Sequence, residues 1–365
     1  MKLPERIEGL PAYVPMEPLE AVCARLGIAA GQVAKMDANE NPYGPSPKAL
    51  AALAAIGSVQ YYPDAESRAL RLALAQFTGT PAKNFLAGSG ADELIDLLVR
   101  VLLEPGDRVL VCPPAFDMYR FDTVLQHGQV IEVPRRENFQ LDIPAIQEAV
   151  RREQPKILFL TSPNNPDGGL ASAEEIDALL DLPLLVVLDE AYIEFSDAGG
   201  ALGEKLSRIR EVPRWENLVV LRTFSKWAGL AGLRIGYGAF PEWLVPGMWK
   251  AKQPYNVNAA AIAAALATLD DLEHMAAQVE LIRQERKRLY ELLWGIPFLR
   301  PTPSQSNFIL CAVEGPSAAG IQQRLLASGI LVRAYHSRVL PNHLRISAAR
   351  PQDSERLIAA LQEAQ

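Results

Sequence analysis

The sequence predicts an α/β fold: a main domain on a largely parallel sheet, followed by a smaller α/β domain. Three observations carry this expectation. From about residue 65 to residue 240, apolar runs of strand length alternate with stretches of helical period, the pattern of helices laid over a parallel sheet. Those runs are apolar throughout, as expected where both faces of a strand are covered. After Phe240 the pattern shifts to a long helical stretch and then a compact series of short elements, and 365 residues exceed one simple core.

Taken in order, residues 1–32 read as an arm and residues 33–250 as the large domain. Ala65 to Phe77 reads as a helix closed by Gly79. Ala91 to Leu103 reads as another, with Asp92 and Glu93 in its first turn, where the helix dipole favours them, and Pro105-Gly106 at its end. Arg108 to Cys112, Lys156 to Leu160, Leu184 to Leu188, Asn217 to Leu221 and Gly236 to Phe240 read as buried parallel strands. Residues 251–290 read as a linker helix, running from the alanines at Ala259 through the charged Arg283, Glu285, Arg286 and Lys287. Residues 291–365 form the small domain, in which Asn307 to Val313, Ser317 to Ser328, Ile330 to Ala334, Leu344 to Ser347 and Pro351 to Gln362 alternate strand and helix.

Composition narrows the function classes. Lys plus Arg number 36 against 43 Asp plus Glu, a net charge of -7, which argues against a broad nucleic-acid-binding face. Cys23, Cys112 and Cys311 are odd in number and far apart, so neither a disulfide framework nor a metal site is expected. The first residues lack the apolar core of an export signal, and no apolar run approaches the roughly 18 residues of a membrane span. A cytoplasmic location is the expectation.

Chemistry concentrates at the ends of the expected strands, where open α/β sheets place ligands. Lys226 lies in Thr223-Phe224-Ser225-Lys226-Trp227-Ala228-Gly229, an apolar, glycine-rich segment just after a strand. Desolvation there favours the neutral amine that attacks a carbonyl. The hydroxyls of Thr223 and Ser225, with the guanidinium of Arg234, would hold a phosphate. Asp189 ends an aliphatic run, and an ionised carboxylate there calls for a cationic partner such as a protonated heterocyclic nitrogen. Gly88-Ser89-Gly90-Ala91-Asp92 opens a helix whose free N–H groups can bind phosphate. Phe116 would offer an aromatic face. Each residue alone has an ordinary explanation: Lys226 snorkelling, Asp189 capping, Asn165 turning the chain, Phe116 filling the core, Arg333 and Arg345 in surface ion pairs.

Taken together, Asp37-Ala38-Asn39-Glu40-Asn41-Pro42-Tyr43-Gly44, Tyr61-Tyr62-Pro63-Asp64, Gly88 to Glu93, Asn164-Asn165-Pro166, Asp189-Glu190-Ala191-Tyr192, Ser225-Lys226 to Arg234, Pro254-Tyr255-Asn256-Val257-Asn258, Ser306-Asn307-Phe308 and Leu344-Arg345-Ile346 follow one another in a recognisable order. They resemble the aspartate-aminotransferase fold family of pyridoxal-phosphate enzymes, most closely its histidinol-phosphate branch, over nearly the whole chain. The resemblance implies the three-layer α/β/α fold-type I architecture. It also implies transamination of L-histidinol phosphate with 2-oxoglutarate, giving imidazole acetol phosphate and L-glutamate.

In that resemblance Lys226 forms a covalent imine with the cofactor aldehyde and moves the proton of the substrate Cα. Asp189 pairs with the pyridinium nitrogen, Asn165 and Tyr192 bond the phenolic oxygen, and Phe116 stacks on the ring. Ala91 and Asp92 by their backbone, Thr223, Ser225 and Arg234 by side chain, and Tyr62 from a second subunit take the phosphate, which implies a homodimer. Arg345, with Arg333, Asn307 and Tyr13, receives the substrate's anionic end. Aromatic-amino-acid aminotransferases and threonine-phosphate decarboxylases share this scaffold and stay open as alternatives. Two departures stand out. Asp167 replaces the family's frequent Thr, altering the turn alone, and Phe116 replaces a frequent Tyr, removing a hydroxyl.

Overall fold

A computed structural model describes residues 2–10 and 16–363. Its strands, in chain order, are Ala34–Lys35 (β1), Phe85–Gly88 (β2), Arg108–Val111 (β3), Gln129–Glu132 (β4), Ile157–Thr161 (β5), Leu185–Asp189 (β6), Leu218–Thr223 (β7) and Gly236–Ala239 (β8) in the first part of the chain. Leu299–Pro301 (β9), Phe308–Val313 (β10), Ile330–Leu331 (β11), Arg333–Tyr335 (β12) and His343–Ser347 (β13) follow. Seven of them form the main sheet in the order β2-β8-β7-β6-β5-β3-β4.

The aliphatic runs sort themselves between the two faces by their alternation. Leu110, Leu158, Leu160, Val186, Leu188 and Val220 enter one core, with the helices Arg68–Thr78, Ile143–Glu153, Ala173–Leu180 and Ala259–Leu269 laid over it. Val109, Val111, Ile157, Phe159, Val187, Val219 and Leu221 enter the other, beneath Ala91–Leu102 and Val245–Ala251. The result is the expected three layers, and it explains why these strands carry no polar alternation.

Two expectations need correcting, one about the sheet and one about the linker. Gly236–Ala239 is not parallel: β8 runs antiparallel to both β7 and β2. A strand buried on both faces looks the same read in either direction, so composition could not tell. The linker, expected as one helix over 251–290, is two helices, Ala259–Leu269 and Leu272–Trp294. Asp270 closes the first, and Asp271 leaves helical geometry at φ -131° before the chain restarts.

The small domain is a four-stranded antiparallel sheet, β12-β13-β10-β9, packed on the helices Ala318–Ala327 and Pro351–Glu363. Residues just past the arm join it: β1 pairs in parallel with β11, and Ala34 and Met36 lie in the small-domain core. The Leu272–Trp294 helix fastens this domain to the large one. Arg286 donates to the carbonyls of Phe195 and Ser306, at 2.9 and 3.0 Å, and to Asp197 at 2.6 Å. No helix among the described residues is long and apolar enough to cross a membrane.

Beneath the sheet edge, Arg222 is buried against Glu194 at 2.6 Å and also donates to the Leu202 carbonyl. Burial pushes the neighbouring Glu190 up to about 7, with Arg222 opposing the rise. Removing the cation strands buried acid, so Arg222→Met is expected to cost about 3–5 kcal/mol, read from urea unfolding. Adding Glu194→Met should recover much of that loss, and an additive double variant would contradict the pairing.

Candidate active site

All strands of the main sheet except β8 point one way, so Gly88, Val111, Thr161, Asp189 and Thr223 end at a common edge, and β8 begins there with Gly236. Ala91, Asp92, Asn165, Asp189, Thr223, Ser225 and Lys226 lie at or just beyond these strand ends.

Thr223 is the last residue of β7. The chain then turns, anchored by fully buried Phe224 and Trp227, and leaves Lys226 facing the cleft. Its Nζ donates to the Ala38 carbonyl at 3.2 Å and stands 5.9 Å from the centre of the Tyr192 ring. Desolvation, aided by the Arg345 charge, lowers its pKa to about 8. About a tenth of the amine is therefore neutral and nucleophilic at pH 7, far more than for an ordinary lysine.

Asp189 ends β6 and is 5% exposed. One carboxylate oxygen accepts the Ala191 N–H at 3.0 Å, so the turn-capping explanation holds; the other accepts the hydroxyl of Tyr119 at 2.6 Å. Tyr119 also meets Thr161 Oγ1, beside Asp189 on β5, at 2.8 Å. Burial raises the Asp189 pKa to about 6, against the pull of these two donors. Tyr119 was absent from the sequence reading. It is fully buried, stacked on Phe159 with ring centres 4.8 Å apart, and Phe116 packs edge-on to it at 5.6 Å.

The other wall comes from the small domain. Arg345, on β13, donates to Asn165 Oδ1 and to the Asp37 carbonyl, both at 2.7 Å. Asn165 Nδ2 reaches the Tyr192 hydroxyl at 3.4 Å, and Asn39 Nδ2 reaches the same oxygen at 3.2 Å. Asn39 is fixed in turn by Ser347, which bonds both its N–H and its Oδ1 at 2.9 Å, and by Asn307, which donates to its carbonyl at 2.9 Å. Arg333 stands directly opposite Arg345 in the β12–β13 register, so two cations share one sheet face. Among the described residues, Arg345 Nε and Asn307 Oδ1 are buried without a hydrogen-bond partner. Asn39 and the Asp37 carbonyl were missed as site groups; their only signal was membership in the Asp37 to Gly44 motif.

At the far end of the cleft, the Ala91–Leu102 helix starts at Gly90, which supplies no side-chain cap. Its first N–H groups and its dipole therefore remain available to an anion. Arg234 lies across this terminus, donating to Asp92 Oδ2 at 2.8 Å. A Cβ on Gly90 would stand 2.5 Å from the Arg234 guanidinium, so glycine is required for that approach. Thr223 Oγ1 and Ser225 Oγ, 2.9 Å apart, complete the cradle. Tyr62 is not among these groups within one subunit: it is exposed and stacks on Tyr255 at 4.6 Å. Tyr13 lies outside the described residues.

Known proteins place the chain in a family. The pattern of the class I and II aminotransferases matches residues 32–361. The chloroplastic histidinol-phosphate aminotransferase of Nicotiana tabacum is 48% identical over 353 residues, covering 96% of this chain and 84% of that protein. The histidinol-phosphate aminotransferase of Roseiflexus castenholzii is 45% identical over 365 residues, covering 98% and 96%. Among solved structures, the histidinol-phosphate aminotransferase of Sinorhizobium meliloti in complex with pyridoxal-5'-phosphate superposes with a TM-score of 0.88 at 30% identity, covering 99% and 97%.

Proposed function

Because the chain belongs to the class I and II aminotransferases, and within them to the histidinol-phosphate aminotransferase family, we propose that it is a pyridoxal-phosphate enzyme exchanging the amino group between L-histidinol phosphate and 2-oxoglutarate. One observation carries this reading above the rest: a desolvated Lys226 amine and a buried Asp189 carboxylate share a cleft that has an anion cradle at one end and a pair of arginines at the other.

The donors present fit the cofactor. An uncapped helix terminus, two hydroxyls and Arg234 suit its phosphate, and the unpartnered Arg345 Nε and Asn307 Oδ1 suit a polar substrate. When bound, pyridoxal phosphate supplies an aldehyde for the amine and a ring that withdraws electrons. Asp189, its carboxylate fixed by the Tyr119 hydroxyl, would pair with the ring nitrogen and keep it protonated. Tyr192 receives N–H groups from Asn39 and Asn165, which leaves its own proton free for the phenolic oxygen. Lys226 would act as the base that takes the proton from the substrate Cα and as the acid that gives it back. Phe116 covers a face of the ring. Arg345 and Arg333, with Asn307, receive the substrate phosphate in one half-reaction and the glutamate carboxylate in the other, since a guanidinium forks onto either group.

The same reading makes the enzyme a homodimer, with Tyr62 from the second copy reaching the phosphate. The exposed aromatic set of Tyr61, Tyr62 and Tyr255 supports this. A reducing cytoplasm suits the free, buried thiols of Cys112 and Cys311.

Lys226 also sets a pH dependence. With its pKa lowered to about 8, the neutral amine grows about tenfold per pH unit below that value and then levels off. The rate at which cofactor-free protein takes up pyridoxal phosphate, followed by absorbance, should trace that curve; a rise continuing to pH 10 would contradict it. Substrate choice is tested by comparing histidinol phosphate, phenylalanine and threonine phosphate, each with 2-oxoglutarate. Histidinol phosphate should show the highest kcat/KM. A preference for phenylalanine, or carbon dioxide released from threonine phosphate, would move the enzyme to one of the sister activities.

A further inference from the structure

Asp167 is fully buried, and the reaction above leaves it unused. It lies two residues after Asn165, in a turn closed by the Asn164 N–H on the Gly169 carbonyl at 2.7 Å and the Gly168 N–H on the Asn164 carbonyl at 2.8 Å. One carboxylate oxygen accepts the Gly169 N–H at 2.7 Å, and the other accepts from the side-chain amide of Asn164. That amide also donates to the Pro114 carbonyl at 2.9 Å, two residues before Phe116. Asn164 Oδ1 is buried without a partner among the described residues, so the two acceptors on its nitrogen set the amide's orientation. Turned over, it would aim an oxygen at a carboxylate and a carbonyl.

Two cofactor-facing segments thus meet at one amide, and Asp167 holds that amide. The cation acting on Asp167 is Arg135, whose backbone N–H bonds the Pro113 carbonyl at 2.8 Å. Arg135 and the two donors oppose the burial that raises the Asp167 pKa. The turn also touches the small domain, because Gln305 N–H donates to the Gly168 carbonyl at 2.8 Å, two residues before Asn307.

We propose that Asp167 is a positioning residue which, through the Asn164 amide, locks the Asn165 turn to the Pro113–Phe116 segment and so holds Asn165 at the Tyr192 hydroxyl. A side chain with one oxygen, such as threonine, can serve Gly169 or Asn164 but lacks the two separated acceptors that serve both. Asp167 therefore does more than alter the turn, the role its position alone implied. The inference rests on the transamination reading, in which Asn165 and Tyr192 face the cofactor's phenolic oxygen.

Asp167→Asn keeps the volume but replaces an acceptor with a donor, so one of the two bonds must break. In the holoenzyme, donors to the phenolic oxygen favour its anion and hold the titration of the bound cofactor's absorption band at lower pH. Loosening Asn165 should move that midpoint upward by about one pH unit, with kcat for histidinol phosphate falling about tenfold. A titration superimposing on wild type would overturn the proposal, even if the melting temperature fell, because Asp167 would then serve the fold alone. Asp167→Thr carries the same expectation if the asparagine variant does not fold. If neither variant folds, Asp167 is needed to form the chain and not to aim Asn165, and the proposal is likewise overturned. A wild-type protein with no cofactor band would sink the transamination reading instead, so the two failures are told apart.

Discussion

Lys226→Ala protein is expected to retain cofactor yet lose at least about 10,000-fold in kcat with histidinol phosphate, because it removes both the attacking amine and the base that moves the Cα proton. The cradle proposed for the phosphate, formed by Ala91, Asp92, Thr223, Ser225 and Arg234, does not include the lysine, so affinity for pyridoxal phosphate should fall far less than turnover. Lys226→Arg separates charge from basicity. A guanidinium keeps the positive charge but cannot shed its proton, so this variant should be as inactive as the alanine one. Single-turnover kinetics would decide, and an arginine variant within tenfold of wild type would remove Lys226 from proton transfer.

Asp189→Asn is the second large effect, with kcat expected to fall about 100- to 1,000-fold. The amide can keep both bonds of the carboxylate: its oxygen takes the Ala191 N–H and its nitrogen faces the Tyr119 oxygen, whose proton turns to Thr161. What it cannot do is hold a proton on a ring nitrogen through charge. Stability should move the other way in cofactor-free protein. Burial raises the folded pKa from 3.8 to about 6, so native Asp189 binds its proton more tightly than the unfolded chain does. Stability is therefore lost as pH rises from about 4 to about 6 and stays lost above, a cost on the order of 2–3 kcal/mol at neutral pH. Asp189→Asn lifts that cost, so the cofactor-free variant should melt higher than wild type at pH 7.5 while turning over far more slowly. Asp189→Ala removes both bonds as well and should lose cofactor affinity. A neutral or destabilising asparagine substitution would show that the carboxylate is solvated or paired.

Most of the site was legible because its groups sit where apolar runs stop. Lys226 and Asp189 interrupt aliphatic segments, and a charge placed there calls for an explanation that a surface lysine or aspartate does not. The Gly88 to Glu93 loop was readable as a strand end turning into a helix, and Arg234 from its place in the glycine-rich segment that follows β7. The residues missed are those whose roles depend on contacts far along the chain. Tyr119 is 70 positions from Asp189, and Asn39 is 153 from Tyr192; nothing local marks either tyrosine or asparagine as more than core or turn.

Among the elements, β2 and β4 escaped for opposite reasons. Phe85–Gly88 is short and ends in glycine, while Gln129–Glu132 is an edge strand with polar, exposed ends. The direction of β8 is set by how the chain returns from the Lys226 turn to fill the gap between β7 and β2, which no property of Gly-Tyr-Gly-Ala encodes. Asp167 was visible as a departure from the family pattern. Its burial against Asn164 emerged only when the Pro113–Phe116 segment was seen to lie beside it.

One bond, between the Lys226 amine and the cofactor aldehyde, underlies the proposed chemistry. Reducing the cofactor-loaded protein with borohydride and mapping its peptides by mass spectrometry reads that bond directly. The pyridoxyl tag should fall on the peptide carrying Lys226, in one copy per chain, and should vanish in Lys226→Ala. A tag on another lysine, or protein that emerges unlabelled, would contradict it.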